Sequence, residues 1–144
     1  MKMKTSEETI YQIKKFEGLR LTAYRCPAGV LTIGYGHTVG VKSWQRITLS
    51  EAEALLRRDL YPIEKFLNTI KNVDKQCEFD ALADFAFNLG IGALRSSTLL
   101  KMIVKGASQN TIQAEFLKWV NAGGKRVEGL VKRREWEANK WAGL

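Results

Sequence analysis

The helical texture of this chain is interrupted once in a way that narrows its architecture, by the stretch "LTAYRCPAGVLTIGYG" from Leu21 to Gly36. Pro27, followed two residues later by Gly29, is turn chemistry, and residues compatible with β-strands flank it on both sides. Alternation along the returning strand sends Leu31, Ile33 and Tyr35 to one face and Val30, Thr32 and Gly34 to the other. Thr32 is expected to face away from the more apolar side. Gly34 and Gly36 would let another backbone or a ligand approach closely.

Around this hairpin the pattern is helical. Thr5-x-x-Glu8 reads as a capping box, Ile10 and Ile13 share the face of the helix that follows, and Gly18 is placed to end it. Glu17 then lies near the apolar stripe at the last turn, a setting in which a carboxyl group can serve as a general acid. A second capping box, Thr48-x-x-Glu51, opens a long helix whose apolar face runs through Ala52, Leu55, Leu56, Ile63, Phe66, Leu67 and Ile70, with a possible kink at Pro62. Asp59 falls on its buried side and needs a cationic or hydrogen-bonding partner, for which His37 is the natural candidate. Further helices are expected at about 75–89, 97–105, 110–120 and 128–140, broken at "NLGIG" and "NAGG". The expected fold is α+β and mostly helical: a small β-containing lobe over about 16–48, an interlobe helix over about 48–70, and a helical lobe over about 71–144. A cleft between the lobes is the expected site.

Composition removes several classes of function. At 144 residues and 45% hydrophobic content the chain is long enough for a real core. Neither a signal peptide nor a transmembrane run is legible, so no stable membrane insertion is expected. The two cysteines, Cys26 and Cys77, do not make a disulfide framework or a zinc site, and a single histidine argues against metal catalysis. No cofactor is expected. The formal charge of +8, from 23 basic and 15 acidic residues, favours a polyanionic partner. "KWVNAGGKRVEGLVKRREWEANKW" mixes Lys, Arg and Trp, but without a nucleic-acid-binding signature its charges read as a solvated helix face.

The candidate chemistry gathers between Phe16 and Thr38. A carboxylate, a turn cysteine and a strand threonine, Glu17, Cys26 and Thr32, are separated by eight and then five residues. A Cys–His peptidase or amidase is the first rival, weakened by the competing use of His37 with Asp59. A wall-binding module without catalysis would need the aromatics but not Glu17.

This stretch resembles the catalytic segment of the phage-type lysozymes, the muramidases typified by the lysozyme of T-even phages, in a variant with cysteine in place of the catalytic aspartate. "EGLRLTAY" and "TIGYGH" carry the resemblance, and "ITLSEAEALLRRDL", "ALADFAFNLGIGALRSSTLL" and "WVNAGGKRVEGLVKRREWE" extend it over nearly the whole chain. It implies a lysozyme-like fold as one domain over residues 1–144. It also implies hydrolysis of the β-1,4 bond between N-acetylmuramic acid and N-acetylglucosamine, with Glu17 as general acid and Cys26 and Thr32 positioning or activating water. By matching position, Phe87, Asn88, Thr98 and Asn121 would contact substrate, His37 and Asp59 would form a structural ion pair, and Arg126 would pair with the acid. Bacterial peptidoglycan is then the partner, and the protein is expected to be a monomer that stays in the host cytoplasm until a holin releases it. A lytic transglycosylase is the enzyme alternative.

Overall fold

A computed structural model describes residues 2–144. In chain order the elements are α1 (Glu7–Glu17), β1 (Arg20–Arg25), β2 (Leu31–Gly34), α2 (Leu49–Leu67), α3 (Gln76–Leu89), α4 (Ile91–Arg95), α5 (Thr98–Lys105), α6 (Gln109–Phe116), β3 (Asn121–Ala122), β4 (Lys125–Arg126) and α7 (Glu128–Trp141). The α+β, mostly helical class expected from the sequence is the class observed. No helix among the described residues is long and apolar enough to cross a membrane.

The chain divides into two compact units, one of Ile10–Pro62 and one formed by the chain up to Thr9 together with Ile63–Leu144. The boundaries fall inside α1 and inside α2, so the hairpin unit is longer at both ends than the lobe expected over about 16–48.

In the hairpin unit, β1 and β2 pair antiparallel with Tyr24 opposite Thr32 and Arg25 opposite Leu31, and the register shifts before Arg20 meets Gly34. The turn closes as its residues demand: the Gly29 amide donates to Cys26 O at 2.7 Å, and Gly29 takes the φ of +81° that favours glycine. Ile10, Ile13, Ile33, Tyr35, Ile47, Ala52, Leu56 and Leu60 are its buried apolar side chains. α2 starts where its sequence says, with Thr48 Oγ1 accepting from the Glu51 amide at 3.1 Å and Glu51 accepting from the Thr48 amide at 3.0 Å.

The start of α1 differs from expectation. Ser6 is the cap: its Oγ accepts from the Thr9 amide at 3.3 Å and also bonds the Asp80 carboxylate. Thr5 is buried with its hydroxyl unpartnered, and Glu8 pairs with Lys140 at 2.7 Å. A partner 74 residues away in sequence selects Ser6 over Thr5.

The helical unit packs α3 mainly against α7, with a core that includes Phe79, Leu82, Phe85, Leu94, Leu99, Ile103 and Phe116. Phe85 meets Phe116 and Trp119 edge-on, at centroid distances of 5.9 and 5.4 Å. Both segments read as breaks hold small elements: α4 follows Gly90, and β3 and β4 form a two-residue ribbon around Gly123 and Gly124.

The charge run of α7 is not a solvated face throughout. Arg133 is 5% exposed, and Arg134 and Glu137 are fully buried, as is Asp84 on α3. Arg133 grips Asp84 through Nε at 3.0 Å and Nη2 at 2.8 Å. Arg134 Nη2 donates to Glu137 Oε2 at 2.7 Å, whereas Arg134 Nε stands 2.7 Å from Oε1 but out of line for a hydrogen bond. Burial first, then the charge of Asp84, pushes the Glu137 carboxyl well above the ordinary carboxylate range, with Arg134 pulling the other way.

Candidate active site

Glu17 is the final residue of α1, and Gly18 ends the helix with φ of +73°, its amide donating to Lys14 O at 2.9 Å. The half-buried Glu17 side chain lies against Gly36: a Cβ built on Gly36 would stand 2.8 Å from Glu17 Oε1. The close approach expected at this glycine is therefore made by a side chain of the same unit. Gly34 instead accommodates α2, where a Cβ would meet the Ala52 Cα at 3.6 Å.

The structure brings Cys26 and Thr32 together. Cys26 begins the hairpin turn, its amide bonded to Val30 O at 3.0 Å, and its side chain is half-exposed. Hydrogen bonding from the backbone of Val30, then of Ala28, holds the thiol below its ordinary range, with slight desolvation opposing and the Thr32 hydroxyl adding a smaller pull in the same direction. Thr32 is only 4% exposed and its Oγ1 donates to Val30 O at 2.9 Å. A single hydroxyl hydrogen cannot serve both, so it faces the carbonyl beside a neutral thiol and can turn toward an ionised sulfur.

His37 and Asp59 also meet. His37 Nδ1 lies 3.0 and 2.9 Å from the two Asp59 oxygens, and Nε2 lies 2.8 Å from Val39 O. Both ring nitrogens face acceptors, so both bonds form only in the doubly protonated ring. The same residue exchanges backbone hydrogen bonds with Ile33, each 2.9 Å, across the Gly34–Gly36 turn.

The remaining residues of the sequence reading belong to the helical unit. Phe87 and Asn88 are half-buried near the end of α3, and Arg134 Nη2 donates to Asn88 Oδ1 at 2.8 Å. Because guanidinium only donates, the Asn88 amide is oriented with its NH2 free to serve another acceptor. Thr98 is exposed at the first residue of α5, and Asn121 and Arg126 face each other, exposed, across the β3–β4 ribbon. The buried quartet of Asp84, Arg133, Arg134 and Glu137 escaped the sequence reading. Its only trace was Arg134 and Glu137 at i and i+3, a spacing that surface pairs share.

Comparison with known proteins agrees in sequence and in shape. The phage lysozyme family is matched over residues 14–137. An endolysin of Acyrthosiphon pisum secondary endosymbiont phage 1 is 44% identical over 94% of this chain and 95% of its own length. An endolysin of Bacillus phage B103 is 46% identical over 94% of this chain, which spans 52% of that longer protein. Among solved structures, the muramidase domain of SpmX from Asticaccaulis excentricus superimposes with a TM-score of 0.87 at 35% identity, covering 97% of this chain and 98% of that one.

Proposed function

From the premise that this chain belongs to the phage lysozyme family, we propose that it is an endolysin whose muramidase chemistry is carried by Glu17, Cys26 and Thr32. It is a glycoside hydrolase acting on bacterial peptidoglycan. The observation that supports the residue roles is the arrangement of one unit, a carboxyl group seated on bare backbone at a helix end and a thiol paired with a buried hydroxyl on the adjoining hairpin.

In this reading Glu17 donates its proton to the glycosidic oxygen as the bond from that oxygen to the anomeric carbon breaks. The nucleophile is a water on the other face of the sugar, which gives inversion when the two groups leave room for it. Thr32, whose own hydrogen points to Val30 O or turns to the ionised sulfur, accepts one hydrogen of that water on a lone pair of Oγ1. The sulfur of Cys26 accepts the other as the oxygen attacks, and its lowered pKa increases the thiolate fraction available for the task. Phe87, Asn88, Thr98 and Asn121 contact the glycan, with the oriented Asn88 amide donating to a sugar oxygen. His37 with Asp59 braces the hairpin, and Arg126 serves as a supporting residue. The protein acts as a monomer, waits in the host cytoplasm and reaches the wall through a holin, where its net charge of +8 suits an anionic polymer.

Digestion of purified peptidoglycan by wild type and Glu17→Gln, with mass spectrometry of the soluble fragments, tests the reading. Hydrated muramic acid ends from wild type alone support hydrolysis with Glu17 as acid. Anhydro ends would make the protein a transglycosylase, and near-normal turnover by Glu17→Gln would remove Glu17 from the reaction.

A further inference from the structure

The carboxyl group of Glu17 lies closer to Gly36 than any side chain at that position would allow. The Cβ that Gly36 lacks would fall 2.8 Å from Glu17 Oε1, inside the contact distance of carbon and oxygen, and 3.4 Å from Cδ. Of the 12 glycines in the chain, Gly36 is the one at which an added Cβ would come within 3.0 Å of an atom of the described residues outside its immediate neighbours. Its φ of +83° also favours glycine, but that demand is separable. Gly40 holds φ of +70° with nothing within 4 Å of its absent Cβ, so glycine there answers to backbone conformation alone.

The turn that carries Gly36 is held from several sides. Ile33 and His37 exchange both backbone hydrogen bonds across it, and His37 is tied through its ring to Asp59 on α2 and to Val39 O. A methyl group added at Gly36 would therefore meet a fixed backbone on one side and, on the other, the end of a side chain with rotatable bonds. Glu17 would be the group to move.

We propose that Gly36 is a positioning residue for Glu17: its bare Cα is the seat against which the carboxyl group rests, and the seat sets where the acid delivers its proton. The His37–Asp59 pair then acts on the chemistry at one remove, by holding the turn that holds the seat. This rests on the reading of Glu17 as general acid.

The test compares Gly36→Ala, Gly40→Ala and Glu17→Gln on peptidoglycan, with melting temperature and the pH dependence of kcat recorded for each. Both alanine variants carry the strain of a positive φ and should lose melting temperature together. Only Gly36→Ala should lose kcat, by roughly the 100-fold that a misplacement of about 1 Å can cost. Its KM should stay near wild type, and the limb of its pH profile set by the acid should move. Equal kcat in the two alanine variants, with Glu17→Gln inactive, would overturn the seat while sparing the general acid. Activity in Glu17→Gln would instead overturn the reading beneath it. Should Gly36→Ala not fold, carbon relaxation of the Glu17 side chain in wild type decides: one ordered rotamer supports the seat, and averaging among rotamers overturns it.

Discussion

Each unit of this protein contains an acid displaced from its ordinary range, and the two are displaced in opposite directions. Cys26 in the hairpin unit is held down by hydrogen bonds at a half-exposed turn, whereas Glu137 in the helical unit is pushed up by burial beside Asp84. Water reaches the first, and backbone dipoles stabilise its charged form. The second is sealed among ions, where desolvation disfavours charge even with Arg134 in contact. Strong perturbation alone therefore does not mark an accessible group: Glu137, 0% exposed, is closed to any polymer, and the milder perturbation belongs to the half-exposed Cys26.

The largest expected effect breaks the buried side of this contrast. Arg133→Ala leaves the Asp84 carboxylate buried without its bidentate partner, which should cost about 3–5 kcal/mol in denaturant unfolding. The pH dependence of Cys26 alkylation should be unchanged in the variant; a shift there would mean that the two centres are not independent.

A smaller effect sharpens it. The folded-state pKa of Glu137 lies well above the ordinary carboxyl value of 4.5, so the stability it contributes is present in full below that pH and is lost as pH rises through the folded value. Glu137→Gln has no such proton to lose. Wild type should therefore lose stability relative to this variant as pH is raised from about 4.5, read from urea midpoints across the range. A gap between the two that stays flat or widens in favour of wild type would reverse the direction assigned to Glu137.

The smallest effect lies at the hairpin. Alkylation of Cys26 should show a pH midpoint below the value of about 8.5 usual for a free thiol. Thr32→Val should move that midpoint upward only slightly, because the backbone of Val30 and Ala28 contributes more than the hydroxyl. A midpoint at the ordinary value in wild type would undo the base role given to Cys26.

How much was legible depended on the range of the interaction. Gly18, the Cys26–Gly29 turn and the Thr48–Glu51 box act within a few residues, and each is found where its sequence places it. Asp59 was assigned to His37 from helical phase and scarcity of alternatives, and the two side chains meet at 2.9 Å. Reading failed where a distant residue chose between local equivalents. Thr5 and Ser6 are adjacent hydroxyls, and Asp80 selects the second. Arg134 and Glu137 have the spacing of a surface pair, and only the packing of α7 on α3 buries them.

The sequence by itself determined the class of fold, the hairpin that turns at Cys26–Gly29 and the start of the long helix at Thr48, because turns and caps are properties of neighbours in the chain. Tertiary structure decided that Glu17 rests on Gly36, that Asp80 caps the first helix through Ser6, and that four charges of the helical unit are sealed from water. Those outcomes depend on which surfaces meet, and burial and contact distance exist only once the chain has closed on itself.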